Sequence, residues 1–197
     1  MGKQSENRMA INIGYLTCDR TSAGDEAYTP FYAVEPLLEF VPKDKVIWCP
    51  FDEEWSAYYQ LLTENGYEVV RSSLKEGQDF FSYEPNAWDI LISNPPFSKK
   101  NDILKRAFDF GKPFALLLPV NSIQGKVRYQ IFKNQIQLLS FDGRVNYHSP
   151  SNMQDTAKSN SFGSAYFCRD LLPTKLELRR LNKYQRPLII AQTEGSD

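Results

Sequence analysis

The sequence predicts an α/β fold built on a mostly parallel sheet, and three observations carry that prediction. Apolar runs of strand length recur at 45–51, 67–71, 88–93 and 113–119. Segments with apolar residues at helical spacing lie between them, and strand, helix, strand at this spacing is the βαβ unit from which parallel sheets are made. The run at 113–119 is apolar on both faces, as a central strand covered by two layers must be.

At 197 residues the chain suits one domain with a sizeable core. Its expected limits are 25–192, with a polar arm over 1–24 and a polar tail over 193–197. With 13 Phe and 11 Tyr, the composition argues against disorder over most of the length. No apolar run reaches the roughly 20 residues of a membrane helix, and the amino terminus lacks a signal-peptide core, so a cytoplasmic protein without membrane contact is expected. Cys18, Cys49 and Cys168 are widely spaced and accompany a single histidine, His148, which supports neither a metal site nor a disulfide framework.

The elements follow in order. Apolar residues alternate at Ile11, Ile13 and Tyr15, a weak strand or extended arm. Thr29-Pro30 is an N-cap with proline at the first helical position, opening a helix over 31–41 that Pro36 divides. The strand at 45–51 leads through the acids Asp52, Glu53 and Glu54, which suit a helix start, into a helix carrying Trp55, Tyr58, Tyr59, Leu61 and Leu62. Asn65-Gly66 ends it, and 67–71 is the second strand. Gly77 to Phe81 reads as a short third edge strand, and 88–93 as the fourth. Asn101 or Asp102 caps a helix that Gly111 ends. After the fifth strand at 113–119 come a helix at 124–133, a strand at 136–141, a turn at Asp142-Gly143 into a strand at 144–147, and a final strand at 164–168. The polar stretch 148–162 is a long loop. The basic segment 175–190 remains unassigned.

Chemistry concentrates where the fourth strand ends, at Asn94-Pro95-Pro96-Phe97. Two prolines fix φ and remove two amide donors, so the Asn94 side chain and the carbonyls of Asn94 and Pro95 form an acceptor array beside an aromatic ring. An exocyclic amine on a planar base needs acceptors for its N–H groups and a ring to stack on. Read alone, the tetrapeptide is equally a proline-rich strand exit with Phe97 in the core.

The formal net charge of −1 points away from a strongly basic nucleic-acid binder, but charge is unevenly placed. From Asp25 to Asp89 acids outnumber bases by about ten, while from Asn94 to Lys133 bases outnumber acids by about six. A polyanion would meet the second half, or these are solvated helix faces.

Thr29-Pro30, the strand end Cys49-Pro50-Phe51, Asp79-Phe80 and Asn94-Pro95-Pro96-Phe97, in that order, resemble the adenine-N6 methyltransferases of the small phage and prophage type, which use S-adenosylmethionine. The resemblance runs roughly from Tyr28 to Cys168. It implies a class I methyltransferase, Rossmann-like fold with a seven-stranded, mostly parallel sheet and helices on both faces. It makes Asn94 and the Pro95 carbonyl the acceptors of the target amine, with Pro96 completing the turn and Phe97 stacking on the base. Thr29, Pro30, Cys49, Pro50, Phe51 and Asp52 would surround the cofactor. Asp79 would accept from its adenine amine and Phe80 pack on its face, although an Asp before a Phe is more often a loop cap beside a core ring.

Where the family carries a glycine-rich turn after the first strand, 49–55 has no glycine. Where the second strand should end in a ribose-binding acid, it ends Val70-Arg71-Ser72-Ser73. Asp52 or Glu53 is expected to stand in. Lys99, Lys100, Lys126 and Arg128 are the expected phosphate contacts on DNA, the expected partner, with RNA or a protein glutamine as alternative substrates and a methyltransferase-fold binding protein as the alternative to an enzyme. Oligomeric state is open. No glycine-rich phosphate loop with its lysine supports a kinase or nucleotidyltransferase.

Overall fold

A computed structural model of the chain describes residues 27–188. The expected arm at 1–24, with Cys18 and the alternating residues near Ile13, and the tail at 193–197 lie outside the described residues.

Helix α1, Phe31–Val34, gives way to a 3₁₀ turn at Glu35–Leu37, so the proline-divided helix forms in two parts as the position of Pro36 requires. Strand β1, Val46–Cys49, is followed by α2, Ala57–Glu64, and β2, Glu68–Arg71. Asp52 to Glu54 do not open α2. The Ser56 side chain caps it instead, accepting from the Tyr59 amide at 3.2 Å, and the acids occupy the loop before it. Strand β3 is Ile90–Ser93, α3 is Lys100–Asp109 and β4 is Phe114–Pro119. Helix α3 starts ahead of Asn101 and has no side-chain cap, because a 3₁₀ turn at Phe97–Lys99 runs straight into it. Helix α4, Lys126–Phe132, then leads to β5, Gln137–Phe141, β6, Ser164–Arg169, and β7, Leu176–Arg179.

The strands form one seven-stranded sheet in the order β2-β1-β3-β4-β6-β5-β7. Strands β1, β2, β3 and β4 run parallel to their neighbours, as does β5 to β7, while β6 is antiparallel to both β4 and β5. This is the seven-stranded, mostly parallel, Rossmann-like sheet that the resemblance implies. Its membership differs from expectation in two places. No strand forms between Arg71 and Ile90, because Leu74–Glu76 is a 3₁₀ turn and Phe80 leaves the sheet plane to pack under β1. The expected strand at 144–147 does not form either, apart from a single bridge of Tyr28 with His148. The seventh strand is β7, from the basic segment.

Side-chain alternation along each strand divides the core into two layers. Ile47 and Cys49, Ile90 and Ile92, Ala115 and Leu117, and Tyr166 and Cys168 face α1 and α2. Trp48, Leu91, Phe114, Leu116, Leu118 and Phe167 face α3 and α4. Helices therefore cover both faces. Among the described residues no helix is long and apolar enough to cross a membrane.

After β7 the chain crosses back over α1 as an extended strap. Arg179 grips Glu39 with two hydrogen bonds of 2.8 Å, Tyr184 donates to Glu35 at 2.5 Å, and Arg186 bridges Glu64 while its guanidinium lies 3.8 Å from the Phe31 ring centre. Leu188, the last of the described residues, is buried, its amide donating to the Met153 carbonyl of the polar loop at 2.9 Å.

Candidate active site

In this strand order the chain runs outward in one direction from β1 to β2 and in the other from β3 to β4. The crevice between the carboxyl ends of β1 and β3 is thus a topological switch point, where open α/β sheets place ligands. A cleft of about 270 Å³ lies there. Thr29, Phe51, Asp52, Asn94 and Pro96 line it, so residues singled out along some seventy positions of sequence meet at one place. Tyr28, Glu53, Trp55, Ser56, Tyr58, Ser73, Lys75 and Leu188 complete the walls.

Asp52 is the most constrained group. It is 6% exposed at the tip of β1, and its amide donates to the Ser72 carbonyl at 3.3 Å, which ties the loop to the exit of β2. The Ser93 hydroxyl, at the tip of β3, donates to its Oδ2, and Ser56 gives a second hydrogen bond. Burial nevertheless dominates, pushing the Asp52 carboxyl up to about 6, with Glu53 raising it further and the two hydroxyls lowering it. Among the described residues, no cation offsets that rise. Burial likewise pushes the Cys49 thiol and the Tyr58 phenol up. Tyr58 shares a 3.0 Å hydrogen bond with Tyr166, whose hydroxyl donates to the Ala33 carbonyl at 3.0 Å, so this wall is fixed from below.

Asn94 is held by its amide nitrogen, which donates to the Ala27 carbonyl at 2.6 Å. A carbonyl partner requires that the bonded atom be Nδ2, which leaves Oδ1 as the other atom. Among the described residues that oxygen is buried without a hydrogen-bond partner, as is Ser73 Oγ in the same lining. A buried orphan acceptor costs about 1–3 kcal/mol relative to a satisfied one. These polar atoms fit a ligand bearing N–H or O–H groups.

Glu53 accepts from Lys75 Nζ at 2.7 Å and from Trp55 Nε1 at 3.0 Å, and Trp55 meets Tyr28 edge-on with ring centres 4.7 Å apart. The outer cleft is thus aromatic with an anchored carboxylate. Cys49 and Pro50 are buried behind it, and Pro30 is itself the N-cap of α1, one position ahead of the first helical residue it was expected to be, so Thr29 is free of the capping role and turns to the cleft.

Other expected site residues lie elsewhere. Asp79 is exposed and accepts from the Phe81 amide at 3.0 Å, a local loop cap. Phe80 is a core ring packed among Trp48, Phe51 and Phe110. The acid-aromatic pair therefore does not reach the cleft. Phe97 is 4% exposed and meets Phe162 edge-on at 5.8 Å, so its ring is a core ring in this conformation. Pro95 is buried outside the lining. Lys99 and Lys126 are exposed, and Lys100 Nζ reaches back to the Phe97 carbonyl at 3.3 Å. Arg128 binds the Ser122 carbonyl at 2.6 Å, Asn101 Oδ1 at 2.8 Å and the Gln124 carbonyl, so it holds protein backbone where a phosphate contact was expected. Among the described residues, no group of three or more His, Cys, Asp or Glu side chains could hold a metal.

Sequence reasoning missed Ser93, Ser56, Ser73, Trp55 and Leu188. Serines at strand tips carry no distinguishing signal until the strand order shows which tips are neighbours.

No protein-family profile matches the chain, and no curated protein matches it in sequence. Among solved structures, it is similar to a Listeria monocytogenes protein designated a candidate class I S-adenosylmethionine-dependent methyltransferase, with 15% identity and a TM-score of 0.45 over 79% of this chain and 66% of that one. The chain thus spans about two thirds of the length of the structure it matches.

Proposed function

We propose that the protein is an S-adenosylmethionine-dependent methyltransferase acting on the exocyclic N6 amine of adenine in DNA. The observation that carries this reading is the pairing, in one cleft, of an acceptor without a partner among the described residues, Asn94 Oδ1, with a buried acid that no described cation offsets, Asp52. The donor, when bound, supplies a methyl group on a cationic sulfur that departs as a neutral thioether.

Asp52, ionised above about pH 6, supplies the negative charge that a ligand carrying a sulfonium and an ammonium group requires. Ser73 and Glu53, at the side of the cleft nearest β2, offer oxygen atoms to a ribose diol in place of the missing acid at the end of that strand. Trp55 and Tyr28 supply aromatic surface. The glycine-free loop at 49–55 is compatible with this arrangement because side chains of Asp52 and Glu53 do what backbone approach does elsewhere.

On the substrate side, Asn94 Oδ1 accepts from the amine, fixing its nitrogen for in-line attack. Orientation of this kind supplies much of the rate when the leaving group is already good. A base in a duplex must first be extruded, at a cost of a few kcal/mol. Phe97 takes a stacking role only if Phe162 withdraws from it, and until then the aromatic lining of the cleft comes from Tyr28, Phe51, Trp55 and Tyr58.

The distance of Asp79 and Phe80 from the cleft favours a second reading, a methyltransferase-fold protein that binds nucleic acid without turnover. Labelled S-adenosylmethionine incubated with unmethylated phage or bacterial DNA separates the two. We expect label on adenine that falls at least about a hundredfold in Asn94→Ala. No Asn94-dependent label on DNA, RNA or protein, together with no donor binding by calorimetry, would remove the enzyme reading.

A further inference from the structure

Strands β3 and β4 are parallel neighbours, so the segments that leave their carboxyl ends, 94–101 and 120–133, emerge side by side on the edge of the sheet that bears the cleft. Helices α3 and α4 pack together, and the bond from Arg128 Nη1 to Asn101 Oδ1 ties the two segments directly. Neither segment contains an Asp or a Glu. Lys99, Lys126 and Lys133 are exposed on them.

The second segment is also unusually apolar for a surface. Of the nine large hydrophobic side chains exposed among the described residues, Val120, Ile123, Val127 and Tyr129 fall within ten positions. Tyr129 is 71% exposed and Val127 58%. Single exposed apolar residues need no explanation, whereas a cluster rimmed by polar groups marks a contact surface. Tyr129, Ile123 and Lys126 line a groove of about 580 Å³.

The surface is preformed. Arg128 fastens the backbone at Ser122 and Gln124 from beneath. Gly125 adopts φ 147°, a backbone conformation that favours glycine, at the turn where Arg128 holds the chain.

We infer that this face is the seat of a single DNA strand, with one base stacked on Tyr129 and flanking phosphates met by Lys99 and Lys126, adjoining the base held at Asn94. A flat aromatic ring set among lysines is how single strands are held without sequence readout, since every base offers a π-face and every link a phosphate. Val120, Ile123 and Val127 offer apolar contact to deoxyribose where a ribose 2′-hydroxyl would ask for a polar partner. The inference rests on the proposed reading for its choice of DNA, and its test does not depend on methyl transfer.

Fluorescence anisotropy of a fluorescein-labelled single-stranded deoxyoligonucleotide, measured without donor, reads strand binding alone. Tyr129→Ala is expected to weaken binding about tenfold, and Tyr129→Phe, which keeps the ring, to stay within about twofold. The double variant Lys99→Ala with Lys126→Ala should flatten the slope of log affinity against log salt by about 1.4. Unchanged affinity in Tyr129→Ala overturns the inference, as does equal loss in Tyr129→Phe. Tighter binding of the matching RNA by tenfold or more overturns the choice of DNA, and full competition by polyglutamate reduces the face to a charge-only surface and overturns stacking. Circular dichroism of each variant confirms folding. Absent methyl transfer with Tyr129-dependent strand binding intact removes the enzyme reading alone. Methyl transfer with Tyr129-independent binding removes this one alone.

Discussion

Asp52 sets two measurable behaviours of the protein. Its carboxyl titrates near 3.8 when unfolded and about 6 when folded, so the folded state holds the proton more tightly. Stability therefore falls as pH rises from about 4 to 6, by on the order of 2–3 kcal/mol, and the deficit persists at neutral pH. Asp52→Asn, which keeps an acceptor for Ser93, should raise the melting temperature at pH 7.5 and leave it unchanged near pH 3, as thermal denaturation will show. His148 works in the opposite sense: burial lowers its pKa, so acidification below the ordinary histidine range costs stability through that ring. The second behaviour concerns the ligand. A cationic donor brings the Asp52 pKa down, so titration calorimetry should find S-adenosylmethionine affinity lower at pH 5 than at pH 7.5, with protons released on binding at the lower pH. Asp52→Ala should abolish both the pH dependence and most of the affinity. Asp52 and Asn94 were legible as residues because each stands at the end of an apolar run, in a polar break. Phe97 was not, since nothing in Asn-Pro-Pro-Phe says that Phe162, far along the chain, covers the ring.

Among the elements, apolar runs revealed β1, β3 and β4 because strands buried on both faces have no other way to be written. Strand β7 escaped for the opposite reason. Its leucines, Leu176 and Leu178, face outward while Glu177 and Arg179 turn to the half-buried side, where Arg179 meets Glu177 and Glu39. An edge strand with inverted alternation reads as a charged tail. The false third strand arose from Phe80 and Phe81, whose apolar character serves the α3 layer through a loop. The start of α2 was misplaced because three acids preceded the true cap, and the cap has a further duty. Ser56→Ala should lower stability by about 1 kcal/mol in urea denaturation, the usual loss of a helix cap. It should also push the Asp52 carboxyl further up, visible as a shifted pH midpoint of donor binding, because Ser56 is one of two hydroxyls that favour the charged form.

At the scale of the molecule, the sheet with a core on each side gives the cleft a rigid floor, and the strap closes its rim. Arg186 joins the strap to α2 through Glu64 and to α1 through Phe31. Arg186→Ala should cost about 1 kcal/mol in equilibrium unfolding, the combined size of a partly exposed bidentate pair and a cation–π contact. Hydrogen exchange at the Leu188 amide should quicken by more than the global loss predicts, because its bond to Met153 depends on the strap staying down.

The strap also fixes the order in which the molecule can be assembled. Its contacts join residues 122, 140 and 149 positions apart, among the most distant in the protein, whereas the β1-α2-β2 unit closes over some twenty-five. Leu188 is synthesised after every other residue that lines the cleft. In refolding from denaturant, the wall that Leu188 gives the cleft is therefore expected to close after the β1-α2-β2 unit whose exit carries Asp52.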